Sequence, residues 1–153
     1  MARVAGLLAA AILAPLLGAC ANARTEPVPA ACLGAPPAFV RALASAPARV
    51  RLADGTRLST CVRRARSDSD LQALGLSLTG AADALRALVA NDPAAAAGLG
   101  YLEGAVSAGV AANQQLATQL GRRVEHATAL DDSAPPAARA ALDQGRREGA
   151  RSG

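Results

Sequence analysis

Leucine, valine and alanine recur along this chain at spacings that change from block to block, and each change marks an element. The clearest block begins at Leu71: Leu71, Leu74, Leu78, Ala81, Leu85 and Leu88 follow in alternating steps of three and four. That is the seam of an amphipathic helix of nearly three heptads. Ser67-Asp68-Ser69-Asp70 precedes it, offering a capping hydroxyl and acids for the positive end of the helix dipole. Gly75 and Gly80 each weaken such a helix by about 1 kcal/mol relative to alanine, so tertiary support is required. The pattern stops at Asn91 and restarts after Asp92-Pro93, a cap followed by a first-turn proline. A second helix is predicted over 93–127, with Leu99, Leu102, Val106, Val110, Leu116, Leu120 and Val124 along one side. Its length and register match the first, which predicts two long antiparallel helices.

Upstream, Pro36-Pro37 opens a short helical segment, 38–43, that Pro47 stops. The runs Arg49-Val50-Arg51-Leu52-Ala53 and Thr56-Arg57-Leu58-Ser59-Thr60-Cys61-Val62 then flank Asp54-Gly55. Alternating residues around a D-G pair predict a β-hairpin. A lone two-stranded hairpin is marginal and must lie on the helices. Downstream, Asp131-Asp132-Ser133-Ala134-Pro135-Pro136 breaks the pattern, and the chain beyond it has few large apolar residues; 131–153 is predicted to be a mobile tail, with at most a frayed helix over 136–147. The expected fold is mainly α (α+β), with the short helix, a disulfide-tied β-hairpin and the two long helices forming one domain over 32–130.

The first nineteen residues stand apart. Arg3 gives a positive start, residues 4–17 are uncharged and apolar, and Gly18 and Ala19 are small, which are the parts of a secretory signal peptide. A run of fourteen residues is shorter than the ~20 needed to span a bilayer, and Pro15 interrupts it. Leu17-Gly18-Ala19-Cys20 resembles the lipobox of bacterial lipoproteins. The resemblance covers the leader alone. It implies a diacylglyceryl group on the Cys20 sulfur, cleavage before Cys20, and an extracytoplasmic protein anchored to a membrane by two or more acyl chains. Residues 20–31, with Pro27 and Pro29, then form a tether. Two alternatives stay open: cleavage after Ala21-Asn22-Ala23, which releases a secreted protein beginning at Arg24, and an uncleaved membrane anchor.

Composition narrows the picture. Phe39 and Tyr101 are the two aromatic residues, so the core must be built from Leu, Val and Ala. All sixteen basic residues are arginine, a bias that reads as genomic base composition before function. Charge is uneven: from 20 to 66 eight arginines face two acids, net +6, whereas from 67 to 132 three arginines face eight acids, net −5. Packing of the basic section on the acidic one is the simplest account. The functional version has Arg49, Arg51, Arg57, Arg63, Arg64 and Arg66 contacting anionic lipid or envelope polymer. Cys32 and Cys61 remain as an even pair in an exported chain, which reads as one disulfide. Closing a loop of that size removes on the order of 3 to 4 kcal/mol of unfolded-state entropy.

No constellation specifies a reaction. His126 is the only histidine and lies near a helix end beside Glu125; with Asp131 and Asp132 these are candidate metal ligands, but none has a recognised spacing. Glu103 sits near Tyr101 without a second carboxylate on its face. There is no phosphate-binding glycine loop, and two aromatics are too few to stack bases, so no cofactor, metal or nucleic acid is expected. Gly98, Gly100, Gly104, Ala108 and Gly109 make a stripe of small residues. Glu103 and Asn113-Gln114-Gln115 argue against a bilayer span, so the stripe predicts close approach of another helix or of the hairpin. The expected role is that of a non-enzymatic, lipid-anchored interaction module, binding a protein partner or itself through the long helices.

Overall fold

A computed structural model describes residues 26–153. Among them the regular elements are all helical: a 3-10 turn, Ala30–Leu33, then α1 Pro36–Leu43, α2 Leu58–Arg64, α3 Asp68–Arg86, α4 Pro93–Ala111, α5 Gln114–Thr128 and α6 Pro136–Ser152. The leader and Cys20 lie outside the described residues.

Local chemistry accounts for the helix starts. Ser67 caps α3: its hydroxyl accepts from the Asp70 amide at 3.1 Å while the Asp70 carboxylate accepts from the amides of Ser67 and Arg66. Those donors, the Arg66 amide first and the Ser67 hydroxyl next, hold the Asp70 carboxyl below its ordinary value of 3.8. Asp92 caps α4 through the Ala94 amide at 2.9 Å, with Pro93 in the first turn. α1 begins at Pro36-Pro37 and ends before Pro47, as its prolines require.

The β-hairpin is not formed. Its turn exists: Gly55 has φ +83°, the Leu52 amide donates to the Thr56 carbonyl at 3.0 Å, and the Thr56 amide donates to Asp54. The second arm, however, is helix α2. Leu58, Cys61, Val62 and Ala65 are all buried, and their spacing of three, one and three is that of one helix face. A strand would turn Cys61 and Val62 to opposite sides, and no large apolar surface lies on both.

The predicted helix over 93–127 is two helices. The chain breaks at Ala112 and Asn113, and Asn113 (φ −141°, ψ 49°) uses its side-chain amide to donate to the carbonyls of Val62 and Ala65 at 3.1 and 2.9 Å. Those carbonyls belong to the end of α2, where the helix itself leaves them unpaired. One side chain thereby ends α4 and caps α2. After it, α5 returns antiparallel along α4, Val110 lying against Gly121 and Glu103 reaching Thr128.

α4 is the centre of the molecule. From Ala95 to Leu102 every residue is buried, as are Gly104, Ala105, Val106 and Gly109, so no face of it is amphipathic. α1 and α3 cover its first half, where the Leu43 carbonyl and the Leu85 side chain approach Gly98; α2 crosses at Gly109, where an added Cβ would lie 2.6 Å from Val62 Cβ.

The remaining side is covered by the segment expected to be a mobile tail. It forms the seventeen-residue α6, whose Gly145 and Gly149 lie against α4, and whose partners there include Gly100 and Gly104. A Cβ built at Gly100 or Gly104 would fall within 3.0 Å of α6 backbone, and one built at Gly145 or Gly149 within 3.0 Å of α4 backbone. Matching increments on the two helices show that they run parallel. The last turn is held further by Tyr101 Oη to Ser152 Oγ at 3.0 Å, by Arg51 donating to the Ser152 carbonyl, and by Ser59 donating to the Gly153 carbonyl. Large apolar side chains were not needed, because the packed surfaces are backbone.

Candidate functional site

Of the residues singled out in the sequence, Cys32 and Cys61 are joined: their disulfide links the 3-10 turn to α2, with Cα atoms 5.4 Å apart and both side chains buried. It therefore ties together two helical elements rather than closing a hairpin. Val28 and Ala31, in the stretch read as tether, already pack against the core.

The six arginines of the basic section do not form one surface. Arg51 is used internally, donating to the carbonyls of Val50 and Ser152; Arg64 pairs with Glu26; Arg63 donates to Thr60 Oγ1 at 3.0 Å. Arg49, Arg57 and Arg66 are exposed, without a side-chain ion pair among the described residues. On α2, opposite the buried face, Arg57, Thr60, Arg63 and Arg64 share an outward arc.

The most constrained polar group is Glu103, in the middle of α4. Its side chain is 16% exposed, and both oxygens are engaged: Arg146 Nε reaches Oε1 at 2.8 Å, Arg146 Nη2 reaches Oε2 at 2.9 Å, and the buried Thr128 hydroxyl donates to Oε2 at 3.0 Å. This fork joins α4, α5 and α6. The Glu103 carboxylate in turn raises the Arg146 guanidinium above its ordinary value. Tyr101, two residues away in sequence, instead bonds Ser152. A groove of about 310 Å³ between α4 and α5 adjoins Glu103 and is lined also by Ser107, Thr118, Arg122 and Glu125. A carboxylate accepting three donors is poorly disposed to abstract a proton. The histidine that could activate Ser107 faces a different groove, with Arg86 and Arg123.

Glu125, His126, Asp131 and Asp132 are not gathered: among the described residues no three His, Cys, Asp or Glu side chains converge as metal ligands. Asp131 is occupied by Ser133, whose hydroxyl and amide hold its carboxyl below the ordinary value. No described helix is long and apolar enough to cross a membrane. Sequence reasoning missed Arg146, because it lies in the segment read as mobile, and missed the convergence of Arg86 of α3 with Arg122 and Arg123 of α5. Only the glycine spacing of the last helix carried a signal for the first.

Fold and site together define a disulfide-linked helical domain with a central buried helix. No protein-family model, no curated protein and no solved structure matches the chain.

Proposed function

We propose that this chain is a non-enzymatic protein of the bacterial cell envelope, anchored by lipid at Cys20, whose helical domain binds a partner outside the cytoplasm. The observation that carries the reading is the buried Cys32–Cys61 disulfide downstream of an apolar leader that ends in Leu17-Gly18-Ala19-Cys20. Disulfides form and persist in oxidising compartments, and the leader supplies the route to one. Processed protein from a bacterial host is expected to begin at an acylated Cys20 by intact mass and N-terminal analysis, and Cys20→Ala is expected to abolish the modification. A chain beginning at unmodified Arg24 overturns the anchored reading and leaves a secreted one.

A second reading, contact with anionic lipid through the basic section, is supported by the place of Glu26. Glu26 pairs with Arg64 on the outward arc of α2 and stands six residues from Cys20. Fully extended, that link spans at most about 20 Å. An acylated Cys20 therefore brings Arg57 and Arg63 within reach of headgroups, and one charge near such a surface contributes ~1 kcal/mol. Vesicles containing phosphatidylglycerol are expected to bind the domain less tightly as salt rises, and Arg57→Gln/Arg63→Gln to weaken binding at least tenfold. Unchanged binding by that variant in a flotation assay removes this reading.

A further inference from the structure

The section from 67 to 132 holds eight acids and only three arginines, yet all three, together with the chain's one histidine, open on the same groove. Arg122, Arg123 and His126 of α5 form one wall and Arg86 of α3 the other, with Thr79 and Gln119 between them, around a space of about 400 Å³. The placement follows from helix geometry. α5 buries Ala117, Leu120, Val124 and Ala127, which turns positions 119, 122, 123 and 126 outward beside α3. Four of the acids are engaged elsewhere: Asp70 caps α3, Asp92 caps α4, Glu103 is taken by Arg146, and Asp131 by Ser133. Two others stand in adjoining grooves, Asp68 with Arg123 and Glu125 with Arg122.

Among the described residues Asp83 is the one carboxylate lining this groove, and it holds Arg86 at 2.5 Å. Among the described residues Arg122 and Arg123 have no ion pair. Three guanidinium groups against one carboxylate leave the groove at +2, which a dianion neutralises. Guanidinium groups on two walls present paired N–H donors, the arrangement that matches the oxygens of a phosphoryl group. A phosphomonoester carries about −1.5 to −2 at neutral pH. The space exceeds a phosphoryl group alone, so an attached moiety can be accommodated.

The geometry points to a binding site for a phosphomonoester or pyrophosphate group in the α3–α5 groove, carried either by a soluble molecule or by a lipid headgroup. The site does not depend on the mode of anchoring, and it is distinct from the outward arc of α2.

The test titrates the processed protein with inorganic pyrophosphate by calorimetry, and in parallel with phosphatidylcholine vesicles with and without phosphatidic acid. Saturable binding is expected for at least one probe. Arg122→Gln/Arg123→Gln is expected to weaken it about 100-fold, since each lost charge-assisted hydrogen bond is worth roughly tenfold or more. Arg86→Gln, on the opposite wall, should weaken it in the same direction, and it serves as the independent variant if the double one does not fold. Arg57→Gln/Arg63→Gln should leave pyrophosphate binding unchanged. Binding to pyrophosphate assigns the site to a soluble phosphate; binding to phosphatidic acid vesicles alone assigns it to a headgroup. No binding of either probe, or binding that the groove variants leave unchanged, or equal loss of pyrophosphate binding in the α2 variant, overturns the proposal.

Discussion

Gly145→Ala is expected to destabilise the domain by about 3 kcal/mol or more, although it adds one methyl group to a helix and alanine is the better helix former. The added Cβ would stand within 3.0 Å of the Ala97 carbonyl carbon and the Tyr101 nitrogen, both backbone atoms of the central helix. A side chain can rotate away from a clash, but α4 backbone is fixed by contacts on all its other faces. The two helices must separate, and the Glu103–Arg146 fork and the Tyr101–Ser152 bond between them are strained or lost with the contact. Gly149→Ala should act in the same way, and the double variant should cost clearly less than the sum, because one separation makes room for both methyl groups. Gly75→Ala is the contrast. Its Cβ would meet only Leu120 Cδ1, at an ordinary 3.5 Å, so helix propensity wins and stability should rise by up to about 1 kcal/mol. Urea unfolding midpoints read all four; a Gly145→Ala midpoint equal to that of the wild type would mean that α6 does not lie on α4.

Loss of the disulfide is the second large effect. Cys32→Ser/Cys61→Ser is expected to lower stability by about 3 to 4 kcal/mol through the entropy of the 29-residue loop. For a domain of this size that is a large share of the total. The oxygen atoms would enter a site where both residues are fully buried, adding a desolvation cost. Because the unfolded chain is also released from its constraint, the slope of the denaturation curve should steepen as the midpoint falls. A midpoint that is the same with and without reductant, under conditions where mass analysis confirms free thiols, contradicts this account.

How far the sequence can be read depends on what kind of surface each segment buries. α1 buries Phe39 and Leu43, and α3 buries leucines on one stripe behind a serine cap, so both helices and their starts are legible; the end of α3 is not, since the seam runs on to Leu88 while the helix stops at Arg86 and Leu88 is exposed. The turn at Asp54-Gly55 is legible too. Its neighbours are not, because over seven residues an alternating pattern and a helical one overlap, and only the inclusion of Ala65 with Leu58, Cys61 and Val62 separates them. The break at Asn113 escapes because α5 keeps the apolar stripe of α4 going; what ends the helix is a demand from α2, whose open carbonyls lie about fifty residues away in sequence. α6 escapes for a different reason. Counting large apolar residues measures side-chain burial, whereas Gly145, Gly149 and Gly153, at steps of four, allow burial of backbone. The arginine groove is assembled from α3 and α5 and has no local signature at all.

The position of α4 has a consequence for how the chain comes to fold. It is buried along most of its length, and its glycine-lined side is closed only by α6, which begins at Pro136. A growing chain that has emerged as far as α5 therefore displays a sticky, glycine-lined helix with nothing to cover it, and such intermediates are prone to associate. Assembly must wait until residue 152 has been made. A truncation near Ala134 would yield a chain that aggregates, rather than a slightly shortened but sound domain.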